Sequence, residues 1–285
     1  MTRSAIEYTP EFVERGYNNR AAVPDHPQWF ARWAELSARA RDAWQPKLEV
    51  RYGPNPKETL DLFVPASPAR GTFVFIHGGY WRALDKSDHL FVASPFVAQG
   101  YAVAVINYDL CPAVTIATIV EECRRALAWV VRDGGKHGAA AKRIVVGGHS
   151  AGGHLAAMLM TTPARDLGCD KHPITGAVSI SGVHDLRPLV LFSFNSDLRL
   201  DDASARRMSP ALLAPQSRAP LCVAVGGDET SEFIRQSELM FNAWPEQQPA
   251  NASGPLVVRD RHHFSVIVEY ADAQSTLTQN TLALF

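Results

Sequence analysis

The chain has 285 residues, of which 46% are hydrophobic and 20% charged, with a formal net charge of -1. That length suits one large α/β domain with a substantial core, and the charge balance argues against nucleic acid or an anionic membrane as partner. Four scattered cysteines, Cys111, Cys123, Cys169 and Cys222, lack the spacing of a disulfide framework or a zinc site.

The first twenty residues contain no apolar h-region, and no apolar run approaches membrane-spanning length. Both features predict a cytoplasmic protein. A helical segment over about residues 1–45 comes first. Within “DHPQWFARWAELSARARDAW”, Trp29, Trp33, Leu36 and Ala40 recur at helical spacing, and Asp25 with Pro27 opens the helix. “LEVRYGPNPKETLDLFVP” reads as two strands around a Pro/Asn/Gly turn.

Strands and helices then alternate. “GTFVFIHGG” is a strand running into a glycine turn, and “DHLFVASPFVAQG” is helical to Gly100. “YAVAVINYDL” is an apolar strand covered on both faces. “TIVEECRRALAWVVRDGG” is a helix ending at Gly134, “KRIVVGGHS” a buried strand and “AGGHLAAMLMT” a helix. “TGAVSISGV”, “APLCVAVGG” and “GPLVVRD” are strands, and “DAQSTLTQNTLALF” is a closing helix. This rhythm predicts a mostly parallel central sheet flanked by helices, in a single domain over 1–285. It breaks over about residues 183–215, a stretch too long for an ordinary connection. A small helical cover is predicted there.

“GHSAG”, Gly148 to Gly152, fits G-x-S-x-G between a β-branched strand and a helix of small residues. That is the setting of a nucleophile elbow, a strained turn that lifts Ser150 above the sheet edge. Positions two before and two after the serine must be small, and both are glycine. His149 should project away from Ser150, and His154 is held at a poor angle one helical turn along. The base is therefore sought in a late loop, in the order Ser, acid, His.

“RDRHHFSVI” follows the last strand and offers His262 and His263, of which His263 is preferred. “VAVGGDETSEF” offers Asp228 and Glu229, equal on position alone, with Glu232 too far into the next helix. “HGGYW” follows the first long strand of the alternating portion, where close backbone approach can present amides to an oxyanion. Gly79, Tyr80 and Ala151 are the candidate oxyanion donors, and His77 is expected to brace the loop. Trp81, Phe192 and Phe194 are candidates for the substrate pocket, with plain core packing as the alternative.

Taken together, these motifs resemble the α/β-hydrolase superfamily. The closer resemblance is to its kynurenine formamidase (arylformamidase) branch, related to hormone-sensitive-lipase-type esterases. “YNNRAAVPD”, “HGGYW”, “NYDLCP”, “GHSAGGHLAAM”, “SGVHDLRPL”, “ETSEFIRQS” and “HHFSVI” carry it, from Tyr17 to about Ile267. Set against the family's Asp-Ser-Pro-Glu-Phe pattern, “ETSEF” puts Glu229 at the acid position, glutamate for aspartate. The family base directly precedes phenylalanine, which implies His263.

The resemblance implies a Ser150–His263–Glu229 triad that cleaves N-formylkynurenine or a related aryl formamide. It implies a small-molecule substrate, no metal and no organic cofactor. Two alternatives stay open: a carboxylesterase for short-chain acyl esters using the same triad, and a non-catalytic binding protein on a hydrolase fold. Nothing in the sequence sets an oligomeric state.

Overall fold

A computed structural model describes residues 8–285, so the first seven residues of the predicted N-terminal segment lie outside the described residues. Three helices lead in: α1 (Pro10–Tyr17), α2 (Asn19–Ala22) and α3 (His26–Trp44). Strands β1 (Lys47–Arg51), β2 (Thr59–Phe63) and β3 (Thr72–Ile76) follow, then α4 (Ser94–Ala98), β4 (Ala102–Ile106), α5 (Ile116–Arg132) and α6 (Gly134–His137). Next come β5 (Ile144–His149), α7 (Ala151–Met160), β6 (Ile174–Ile180), α8 (Asn195–Leu198) and α9 (Asp202–Arg207). The chain closes with β7 (Leu221–Gly226), α10 (Ser231–Ala243), β8 (Leu256–Val258) and α11 (Thr276–Leu282). Among the described residues, no helix is long and apolar enough to cross a membrane.

The eight strands form one sheet in the order β1-β2-β4-β3-β5-β6-β7-β8. Only β1 and β2 run antiparallel to their neighbours; β4, β3, β5, β6, β7 and β8 are mutually parallel. Alternate residues feed two cores, as the period of two requires. Phe73, Phe75, Val103, Val105 and Val145 pack on one face. Val74, Ile76, Ala104, Ile106 and Val146 pack on the other. This is the mostly parallel, helix-flanked sheet expected from the sequence.

Two predicted helices differ in detail. “DHLFVASPFVAQG” divides into a 3-10 segment, Lys86–Ala93, and the short α4. Pro95 sits in the first turn of α4, where its missing N–H costs nothing, so a new helix begins there. The helix predicted to end at Gly134 stops at Arg132 instead, and Gly134 opens α6, which is ended by left-handed Gly138 at φ 100°. The 183–215 stretch carries 3-10 segments at Arg187–Leu191 and Pro210–Leu212 besides α8 and α9.

Ser150 stands between β5 and α7 with φ 57° and ψ -119°, a conformation that costs an L-residue roughly 1–3 kcal/mol. Close packing imposes it. A Cβ on Gly152 would lie 2.0 Å from the Ile76 carbonyl oxygen, and one on Gly148 would lie 2.3 Å from the Gly152 backbone. Ser150 N–H donates to Ile180 O at 2.8 Å, tying the turn to β6 as well.

Besides His263, five histidines are buried in the body around this edge: His77, His89, His149, His154 and His184. Burial pushes His77, His89 and His154 down to about 4 and His184 to about 3. The same desolvation, with His263 and His89 nearby, holds His149 well below the usual range. Each ring is therefore neutral in the folded protein at neutral pH.

Two outcomes follow from this packing. Gly152→Ala should lower stability by more than about 2 kcal/mol through overpacking, whereas Gly135→Ala, whose Cβ meets nothing within 4 Å, should not. Equal melting temperatures for the two variants would contradict the close-packed elbow. Stability should also fall as pH drops from about 6.5 to about 4. Above that window both states are neutral; within it the unfolded chain takes up protons that the buried rings refuse. Each histidine then contributes roughly 1.4 kcal/mol of loss per pH unit. Urea midpoints at pH 8, 6.5 and 5 measure this, and no change down to pH 5 would refute it.

Candidate active site

The parallel strands deliver their following loops to one edge of the sheet, the carboxyl edge where α/β sites form. The loop after β3 is wound left-handed through three successive residues, Gly79 at φ 103°, Tyr80 at 50° and Trp81 at 56°. Gly79 is required there twice over, by its φ and because a Cβ would meet Ala83 O at 2.0 Å. Among the described residues, the Gly79 and Tyr80 amides donate to no other backbone group. The Ala151 amide opens α7 and has no intrahelical acceptor by position.

The loop is braced from beneath. His77 Nδ1 lies 2.8 Å from Gly78 O and its Nε2 2.9 Å from Asn107 Oδ1, and Asn107 Nδ2 donates to Asp85 Oδ2 at 2.7 Å. The His77 ring stacks on Tyr108, 4.2 Å apart, and the Tyr108 hydroxyl donates to His77 O. His77 has the bracing place expected of it.

His263 follows β8, and its Nδ1 donates to Glu229 Oε2 at 2.7 Å. The other carboxylate oxygen of Glu229 accepts from Ser181 Oγ at 2.5 Å and from Gly226 N–H at 2.8 Å. Three donors thus fix the carboxylate beside the imidazole. Asp228 is exposed, and its amide donates to Arg261 O. Glu232 lies in α10, where it accepts from Tyr17 and pairs with Arg235. His262 accepts from the Phe264 and Ser265 amides and so shapes the turn.

Both histidines near Ser150 are tied to other parts of the structure. His149 Nε2 donates to the His263 carbonyl at 2.8 Å, and its ring lies 4.7 Å from that of His263. His154 Nε2 donates to Met208 O at 2.7 Å while its Nδ1 accepts from Trp81 Nε1 at 3.2 Å. Both nitrogens of this neutral ring are occupied, and it links α7 to the loop after β3 and to the 183–215 stretch.

A cavity open to solvent borders Ser150, His149 and His263. Its walls include Gly79, Tyr80, Phe194, Phe30, Trp33 and Phe264. Trp81 and Phe192, candidates for the same wall, lie behind it. Trp81 is fully buried against His154, and Phe192 packs between Tyr17, Tyr80 and Phe194. Among the described residues the Ser150 hydroxyl makes no hydrogen bond to His263; such contacts commonly tighten only when substrate is bound.

The 183–215 stretch and the N-terminal helices both close on this edge. Arg82 pairs with Asp197 at 2.6 Å and lies over the Phe194 ring. The Tyr80 hydroxyl donates to Tyr17 O at 2.5 Å, and Trp33 Nε1 donates to Phe264 O at 3.1 Å. Sequence reasoning missed Ser181, Trp33 and the Asn18–Arg20 wall. The quoted “YNNR” contained the last of these but carried no local signal of its place.

Residues 60–197 match the family BD-FAE. Kynurenine formamidase of Salmo salar is 32% identical over 257 residues, 88% of this chain and 85% of the salmon protein. A crystal structure from Silicibacter sp. TM1040, provisionally described as a thioesterase, superposes with a TM-score of 0.83 at 32% identity. That match covers 94% of this chain and 97% of the other. An esterase of Pyrobaculum calidifontis shares the fold at 18% identity, with a TM-score of 0.69 over 90% of each chain. Such relatives set aside the binding-protein alternative, since they indicate a hydrolase acting on a formamide or an ester. The chain belongs to the kynurenine formamidase family of α/β-hydrolases.

Proposed function

We propose that Ser150, His263 and Glu229 form a catalytic triad that cleaves a formyl-like amide of an aryl amine, N-formylkynurenine or a close relative, through an acyl-enzyme. The single observation that carries the reading is the 2.7 Å contact of Glu229 with His263 on a cavity that Ser150 also borders. Glu229 holds the imidazole tautomer with its proton on Nδ1, leaving Nε2 as the acceptor. His263 Nε2 takes the Ser150 proton as Oγ attacks the carbonyl carbon. The amides of Gly79, Tyr80 and Ala151 hold the oxyanion, each supplying roughly 3 kcal/mol. His263 then protonates the departing amine. Water, activated by the same imidazole, releases the acyl group as the acid.

In this reading the chain is one cytoplasmic hydrolase domain. Residues 183–215 and the N-terminal helices serve as its cover. The aromatic walls, Phe30, Trp33 and Phe194, suit a flat aryl leaving group. The Salmo salar relative is a kynurenine formamidase, which supports the formamide.

A second reading, hydrolysis of a short-chain ester by the same residues, draws support from the Silicibacter neighbour, whose provisional description is a thioesterase. Specificity constants for N-formylkynurenine and p-nitrophenyl acetate separate the two, with Ser150→Ala as the blank. Higher kcat/KM for the formamide, lost in the variant, is the expected result. Good ester turnover with negligible formamide turnover would replace the formamidase reading by the esterase one, and wild-type rates in Ser150→Ala would sink both.

A further inference from the structure

The candidate oxyanion donors come from two separate elements. Gly79 and Tyr80 lie in the loop after β3, and Ala151 opens α7. Their amides can serve one oxygen only if loop and helix keep a fixed spacing, because a donor must lie about 2.7–3.1 Å from the place the oxyanion takes. The packing of Gly152 on Ile76 O sets that spacing where the loop begins. Beyond it the backbone turns left-handed at two bulky residues, Tyr80 and Trp81. Such side chains rarely hold that conformation, and it persists where the surroundings impose it.

Trp81 supplies an anchor. Its side chain is fully buried and meets the His154 ring edge-on, with centroids 4.9 Å apart at 90°. Its Nε1 donates to His154 Nδ1 at 3.2 Å. An indole N–H can only donate, so His154 Nδ1 carries the lone pair and Nε2 the proton. Nε2 accordingly donates to Met208 O at 2.7 Å. Burial pushes this ring down to about 4, which keeps it in that neutral form at neutral pH. His154 belongs to the same helix as Ala151, and its own amide donates to Ser150 O at 3.1 Å. On the other side of the loop, Trp81 O accepts from the Cys111 amide at 2.8 Å.

We infer that the Trp81–His154 pair is a strut that sets the distance between the two sides of the oxyanion hole. The inference rests on the proposed acyl transfer at Ser150 with Gly79, Tyr80 and Ala151 as donors, and it is the same for a formamide and an ester. Neither Trp81 nor His154 borders the cavity. Both are positioning residues, acting through the amides of other residues. The charge they serve exists only in the tetrahedral state. Losing the strut should therefore slow the chemical step and leave ground-state binding nearly unchanged. A role in stability alone would lower the melting temperature without making that distinction.

Inhibition by trifluoroacetophenone reads the hole directly. Ser150 Oγ adds to its carbonyl carbon, the serine proton passes to His263, and the carbonyl oxygen takes the negative charge. kcat and KM are measured beside it, on whichever of N-formylkynurenine and p-nitrophenyl acetate the wild type cleaves faster. His154→Leu should weaken the ketone and lower kcat by about tenfold or more each, short of the 10²–10³ attributed to deleting a donor outright, with KM nearly unchanged. Trp81→Phe keeps a ring and drops the N–H, so it should do the same and carries the test if His154→Leu does not fold. The double variant should be no worse than either single one, because both remove one bond. His154→Asn, which returns an acceptor near the Nδ1 position, should recover part of the loss. Unchanged ketone affinity in Trp81→Phe, losses that multiply in the double variant, or a raised KM with kcat kept would overturn the strut alone. Equal ketone affinity in the wild type and Ser150→Ala would remove acyl transfer at Ser150, and the strut with it.

Discussion

Everything at the site depends on how closely α7 approaches β3. The Ile76 carbonyl occupies the space where a Cβ of Gly152 would fall, and Gly152 in turn occupies the space beside Gly148. That contact holds Ser150 in its left-handed turn above the sheet. It also sets Ser150 beside the loop that leaves β3, because β3 and β5 are paired in register from Thr72 and Ile144 to Ile76 and Gly148. Nucleophile candidate and oxyanion loop are thus placed by one packing interaction, before any catalytic group is considered.

Around this point the protein uses neutral histidines as structural connectors. His77 braces the loop after β3, His149 holds the backbone of His263, and His154 joins Trp81 to Met208. Their burial keeps them uncharged, so each offers one donor and one acceptor in fixed directions. A cationic ring near Ser150 would compete for Glu229. In the proposed mechanism, charge develops on His263 alone, with Glu229 held by Ser181 and Gly226 to meet it.

The sheet and its two cores were legible because apolar strands alternate with helical stretches, a pattern that local sequence carries in full. Ser150 was legible for the same reason: a strained turn demands small residues at fixed offsets. His263 followed from chain order, whereas Asp228 and Glu229 were equal on position, and only the resemblance favoured Glu229. What distinguishes them physically is that Glu229 turns inward to Ser181, 48 residues earlier in the chain. The same limit hid Trp33, whose partner Phe264 is 231 residues away. Helix boundaries failed where proline and aspartate restarted a turn, at Pro95 and Asp133.

In the proposed mechanism Ser150 is a nucleophile activated by His263 and Glu229. Covalent labelling with a fluorophosphonate, located by peptide mass spectrometry, addresses it without assuming a substrate. One label per chain on the peptide containing Ser150 is expected, forming at least ~100-fold more slowly in His263→Ala, within the range attributed to general-base assistance. Labelling on another residue, or at an undiminished rate without His263, would contradict the account.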